Sequence, residues 1–243
     1  MSTLYHYCST SSFFSIVNSA SIWLSSLSQS NDSLEGKIVS ASVAQLAEQD
    51  KLDERTRSLI EQHIRQIEES TEALGFCLSE EGDLLSQWRG YAQDATGFAI
   101  GFNTDYLEGL CAAGHPLAST PVVLKKVRYS PAEQKELLGN TYKRFQKLAA
   151  DSLLRKAAWS GTAGKSVEQI RGEVSAFATQ SDAVLGAQIQ VFSDLYLLKN
   201  VAFAEEKEWR LLAPYLSFLP EALEHRHANS QIIPFRSYTL TAP

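Results

Sequence analysis

Three stretches of the sequence set ionisable groups among large aromatics: LYHYCS (4–9), LLSQWRGYA (84–92) and EEKEWRLL (205–212). Each has an ordinary structural reading, with Trp and Tyr in the core and their polar atoms satisfied locally. Together they hold the parts of a nucleotide site: rings to stack on a base, an arginine for phosphate, carboxylates for ribose hydroxyls. In the third stretch, a strand over 206–212 turns Glu206, Glu208 and Arg210 to one face and Trp209 and Leu211 to the other. Either that charged face is solvated on an edge strand, or Trp209 holds a carboxylate on the wall of a cleft.

The elements that must carry these residues are legible in outline. LYHYC (4–8) reads as a strand ending at the STSS cap, SSFFSIVNS as a short helix, and SIWLSS (21–26) as a returning strand before the polar loop LSQSNDSLEG. Residues 42–74 lack Gly and Pro and place Leu59, Ile60, Ile64 and Ile67 at helical spacing, which predicts a helical pair, with His63 at its boundary. GFCLSE (75–80) and TGFAIGF (96–102) read as strands flanking a short helix with Asp83 as N-cap and Leu84, Trp88 and Tyr91 on one face. PVVLKKVRYS (121–130) predicts a further strand. Ser130, Pro131 and Glu133 then form a capping box that starts a helix, and Ser166 with Gln169 starts another. From about 196 the pattern is β-like again, in VAFAEEKEWRLL and SQIIPFRSYTL. The sum is an α+β fold: a single domain, 1–243, with helical insertions at about 42–74 and 132–195.

Bulk properties exclude several classes. The chain has 243 residues, 44% hydrophobic and 21% charged, with a formal charge of −6, so it gains little from phosphate neutralisation on nucleic acid. Cys8, Cys77 and Cys111 form no C-x-x-C pair, which argues against a zinc finger or a disulfide framework. The HRH of residues 225–227 has no partner spaced like a metal site, so the expectation is no metal. The start MSTLYHYCS has no secretory pattern and no apolar run reaches the roughly 18 residues of a membrane span, so the expected location is the cytoplasm, with no membrane. No G-x-G-x-x-G, Walker loop or G-x-S-x-G occurs.

The order LYHYCS, SIWLSSLSQSNDSLEG, FCLSEEGDLLSQWRGYAQDATGFAIGFN, VRYS and FAEEKEWRLL resembles the bacterial family numbered 2971 among domains of unknown function. That family carries a Y-K/H-Y start, an N-D motif, a W-x-x-Y-A…G-x-x-x-G-F block and a terminal E-W-R. More distantly, a strand His near the start, an aromatic-rich middle and a strand Glu near the end are similar to the His-Tyr-Glu layout of ADP-ribosyltransferases. That resemblance implies a central mixed or antiparallel sheet and cleavage of NAD, the co-substrate, at the nicotinamide–ribose bond. ADP-ribose would pass to a protein or nucleic-acid acceptor, in a toxin or phage-defence effector with a protein partner or antitoxin. It implies Glu208 as the catalytic residue, binding the nicotinamide ribose and stabilising an oxocarbenium-like state. It further implies His6 at the adenosine ribose and Trp88 or Tyr91 stacked on nicotinamide; the shared profile of the three stretches places Gln87, Arg89 and Arg210 around the same concavity, with Arg210, on the face of Glu208, keeping it ionised or meeting the pyrophosphate. E-K-E (206–208) also echoes the Glu-x-Glu of arginine-directed members, whereas their Ser-Thr-Ser strand is missing, WLSS being the nearest match. The alternative is a non-catalytic nucleotide-sensing or partner-binding module; a metal-independent nuclease toxin is a third reading.

Overall fold

From the N-terminus the elements are β1 (Thr3–Cys8), α1 (Thr10–Ser19), β2 (Ser21–Ser26), α2 (Ile38–Gln49), α3 (Glu54–Ser70), β3 (Thr71–Ser79) and α4 (Leu85–Tyr91). There follow β4 (Phe98–Asn103), α5 (Thr104–Ala113), β5 (Val123–Lys126), α6 (Pro131–Ala150), a 3-10 helix (Val201–Glu206), β6 (Glu208–Leu216), β7 (Glu224–Ala228) and β8 (Gln231–Thr239). The structure, a computed structural model, describes residues 2–27, 38–113, 122–151, 154, 166, 168–169, 191, 194–216, 223–228 and 231–240. The chain is α+β and divides into two compact units, one of 1–36, 70–131 and 196–243, the other of 37–69 and 132–195.

The first unit holds the sheet, in the order β4-β1-β3-β2-β8-β7, with β6 pairing β3 and β5. Every pairing between named strands is antiparallel. Period-two alternation sets the two faces of β3: Leu74, Phe76 and Leu78 enter a core with Ile22, Leu24, Leu211 and Ala213, while Gly75, Cys77 and Ser79 face the other way. On one edge β3 pairs with β6 along its whole length. Its other edge is shared, pairing with β2 at Gly75 and Leu74 but with β1 only at Ser79. The two partners diverge around Cys77, and there the His6 ring reaches the Cys77 carbonyl at 2.8 Å. A side chain meets a backbone acceptor where the ladder opens.

The second unit contains α2, α3 and most of α6. α3 buries Ile60, Ile64 and Ile67 at the predicted spacing, and α6 buries Leu138, Thr141, Tyr142, Phe145, Leu148 and Ala149. His63 is half-buried and bonds the Leu59 carbonyl at 2.9 Å, a boundary role.

Three local expectations are corrected. The helical pattern over 42–74 stops at Ser70, and residues 71–74 pair with β6, leaving Ala73 and Leu74 fully buried. Sheet pairing overrides the helical propensity of Glu-Ala-Leu there. Asp83 is not the N-cap of α4, which is Leu84; its carboxylate instead accepts from Trp88 Nε1 at 2.8 Å. The strand expected over 206–212 begins only at Glu208, because Asn200 caps a 3-10 helix through Glu206 and Lys207 takes a left-handed conformation with φ 45°. β6 is also no edge strand. The loop with Asn31 and Asp32 lies outside the described residues, as does the helix expected after Ser166, apart from the reciprocal bonds of Ser166 with Gln169 at 2.8 and 3.2 Å. Among the described residues no helix is long and apolar enough to cross a membrane.

Candidate functional site

Glu208 opens β6, its amide donating to Tyr129 Oη at 3.0 Å. Two residues on, strand alternation returns Arg210 to the same face, where Nε and Nη2 donate to the Glu208 carboxylate at 2.7 and 2.9 Å. Lys199 Nζ donates to Glu208 at 2.9 Å and to Glu206 at 2.7 Å. Arg210 Nη1 also donates to the Tyr196 carbonyl at 2.8 Å. Two carboxylates and two cations thus form a charge-balanced cluster; Glu208, Lys199 and Arg210 are only 5%, 6% and 1% exposed.

Burial alone would push the Glu208 carboxyl up, but the Arg210 guanidinium and then the Lys199 ammonium hold it down at about 2. Burial opposes the Lys199 charge, yet Glu208 and Glu206 raise its pKa above the ordinary range. Glu206 goes the opposite way from Glu208: burial raises its carboxyl despite Lys199. Two neighbouring carboxylates therefore have their affinities for a proton pushed apart.

A cavity of about 340 Å³, part of it continuous with solvent, is lined by His6, Tyr7, Cys77, Gln87, Tyr91 and Glu208, with Leu78 and Glu206 completing it. It lies where β1 leaves β3. The His6 ring stacks on Phe76 at 4.0 Å, and its bond to a carbonyl requires the proton on Nδ1, which makes Nε2 an acceptor. Burial pushes His6 down to about 4, so it is neutral at pH 7. Burial, then the Glu206 charge, pushes the Tyr91 phenol up to about 12. Tyr91 is 45% exposed and stands at the mouth, whereas Gln87, from the same helix, is 9% exposed.

Of the residues singled out in the sequence, His6, Gln87, Tyr91 and Glu208 line this cavity. Trp88 packs edge-on against Tyr7 at 5.2 Å with its indole N–H on Asp83, and Arg89 is exposed on α4; neither lines the cavity. Arg210 stands behind Glu208, buried and bonded to it rather than lining the cavity. Trp209 packs on the core with Nε1 donating to Glu80 at 2.8 Å. Among the described residues no group of three or more His, Cys, Asp and Glu is placed to hold a metal ion; His225 and His227 are exposed on β7.

The profile of the family described as "Protein of unknown function (DUF2971)" matches residues 87–211. The chain belongs to this family. The matched span opens at Gln87 and runs through Tyr91, Lys199, Glu206, Glu208 and Arg210, so the family region supplies one wall of the cavity and β1 and β3 the other. No curated protein and no solved structure gives a significant match.

Sequence reasoning missed Lys199, Tyr129 and Cys77. Lys199 left one signal, a lone charge closing the apolar run LYLLK. Tyr129 and Cys77 stood only inside the quoted segments VRYS and FCLSEEG, with nothing local to mark a role, since each serves through a partner brought in by sheet pairing.

The His6 environment predicts a pH effect. With an ordinary pKa of 6.5 and a folded value of about 4, the unfolded chain binds the extra proton between those limits. Stability is full above pH 6.5 and is lost as pH falls toward 4, by up to about 3 kcal/mol. Urea titrations at pH 7 and pH 4.5 are expected to show this fall in the wild type and a smaller one in His6→Gln.

Proposed function

We propose that the cavity binds NAD as co-substrate and that the chain transfers ADP-ribose from it to a protein or nucleic-acid acceptor. One observation carries this: a carboxylate kept anionic, Glu208, and a neutral imidazole with an acceptor nitrogen, His6, line the same cavity. NAD would supply the glycosidic bond between nicotinamide and ribose. Glu208 is suited to stabilise positive charge growing on the sugar, because Arg210 and Lys199 keep it ionised without filling the cavity. His6 Nε2 is suited to accept from a ribose hydroxyl. Glu206, whose carboxyl is raised, is the group to take a proton from the incoming acceptor. Tyr91 offers a protonated ring at the mouth.

A second reading, a non-catalytic nucleotide sensor or partner-binding module, is favoured by a separate observation. Arg210 Nε and Nη2 and Lys199 Nζ each donate to Glu208 and the Cys77 side chain bonds it as well, which occupies the roughly four acceptor sites of a carboxylate, and the two cations balance its charge. The test is incubation of the full chain with labelled NAD and cell extract. Nicotinamide release with label transfer is the expected result. Saturable NAD binding without release establishes the sensor instead, and absence of binding removes the NAD readings and leaves the partner-binding module.

A further inference from the structure

Gln87 is the unusual member of the cavity wall. Its side chain lines the cavity and is nine-tenths buried, yet its amide has no hydrogen-bond partner among the described residues. The amide is not among the fully buried, unpartnered polar atoms, so it meets only the water of the cavity and is open to a ligand that displaces that water. Gln87 presents one acceptor oxygen and one donor nitrogen side by side on a plane, which pairs with a ligand edge carrying a donor and an acceptor in the same arrangement. The surrounding charges narrow the choice. Glu208 and Glu206 line the cavity itself, whereas the cations that balance them, Lys199 and Arg210, line none of it, so an incoming edge meets carboxylate oxygens first and an anionic one is disfavoured against a neutral one.

We propose that Gln87 is the specificity-determining residue of this cavity, and that it reads the donor–acceptor edge of an uncharged planar ring, rejecting the corresponding carboxylate. This rests on the reading of the cavity as a nucleotide site, with no requirement for turnover. Two parts of a nucleotide carry such an edge, the carboxamide of nicotinamide and the amino edge of adenine.

The experiment titrates nicotinamide, nicotinic acid and adenosine into the full-length wild type and into Gln87→Met, followed by ligand-observed NMR and by thermal unfolding without ligand. Met has a similar volume and no polar group to leave unpaired. In the wild type, nicotinamide or adenosine is expected to bind on the order of tenfold or more tightly than nicotinic acid. Gln87→Met is expected to lose that preference while melting close to the wild-type temperature, since the Gln87 amide holds no bond within the described protein and the volume is kept. The neutral ring that binds identifies which part of the nucleotide is read. Equal binding of nicotinamide and nicotinic acid, or an unchanged preference in Gln87→Met, overturns the role of Gln87 and leaves the nucleotide reading standing. A variant that melts lower with binding intact shows a structural amide and also overturns it. If the wild type binds none of the three, the nucleotide reading falls and this inference with it.

Discussion

Glu208→Gln is expected to lower NAD turnover by on the order of 100-fold or more and, separately, to destabilise the fold by about 3–5 kcal/mol. The first effect follows from the proposed role, since Gln keeps the shape and an acceptor oxygen but removes the charge. The second follows from the cluster. A solvated glutamate at this position would matter little, but Glu208 is 5% exposed and bonds both Arg210 and Lys199, so its neutralisation leaves two buried cations facing Glu206 alone. The Gln amide would also point a donor at a guanidinium or an ammonium. A double variant separates the effects. Glu208→Gln with Arg210→Met removes a charge pair together, which buried sites tolerate far better than loss of one partner. It is expected to regain most of the stability and none of the turnover. Recovery of turnover along with stability would show that Glu208 acts only through the fold.

Acid unfolding adds an independent check on the same residue. The folded carboxyl titrates at about 2 against an ordinary 4.5, so its contribution is present above pH 4.5 and is lost as pH falls toward 2. Glu208→Gln is expected to flatten that window while leaving the His6 window between pH 6.5 and 4 in place. Glu206→Gln is the companion variant. It leaves Lys199 paired with Glu208 and removes the carboxyl with the raised pKa, so transfer to the acceptor is expected to fall more than cleavage of NAD.

Gly97→Ala is expected to destabilise the first unit by about 1–3 kcal/mol or more and to disturb the cavity with it. A Cβ at Gly97 would lie 2.2 Å from the Cys8 carbonyl oxygen, 3.0 Å from that of Ala92 and 3.1 Å from the Ala92 Cα. All three are backbone atoms, so no side-chain rotation relieves the contact. Either β4 separates from β1 at the Cys8–Phe98 pair, or the turn after α4 shifts and carries Tyr91 and Gln87 with it. That turn has little freedom to yield: Gln93, Asp94 and Ala95 already hold φ of 50, 52 and 66°, and the Gly97 amide bonds the Ala92 carbonyl at 2.9 Å. Gly90 is the control from the same aromatic block. It is exposed within α4 with nothing within 4 Å of a Cβ, so Gly90→Ala is expected to stabilise by about 0.5–1 kcal/mol. Denaturant titration of the two variants should give opposite signs; equal effects would mean that close approach at Gly97 is not what selects glycine.

Much of the architecture follows from the sequence alone, because it depends on neighbours in the chain. Short aromatic and apolar runs placed β1, β2 and the core of β3, the STSS cluster marked the start of α1, and the spacing of Ile60, Ile64 and Ile67 marked α3. Local order also brought Arg210 to the same face as Glu208, two residues away on a strand. What the sequence left open depends on residues far apart in it. Residues 71–74 are strand only because β6, more than 130 positions on, pairs with them. Glu206 leaves the face of Glu208 because Lys207 breaks the extended backbone, and Lys199 then rejoins the two carboxylates from outside the strand. The cavity itself exists because β1 and β2 share one edge of β3 and diverge at Cys77, bringing His6 and Glu208 to one opening. Strand identity is a matter of local alternation, whereas the place where two strands part is decided by the pairing of the whole sheet.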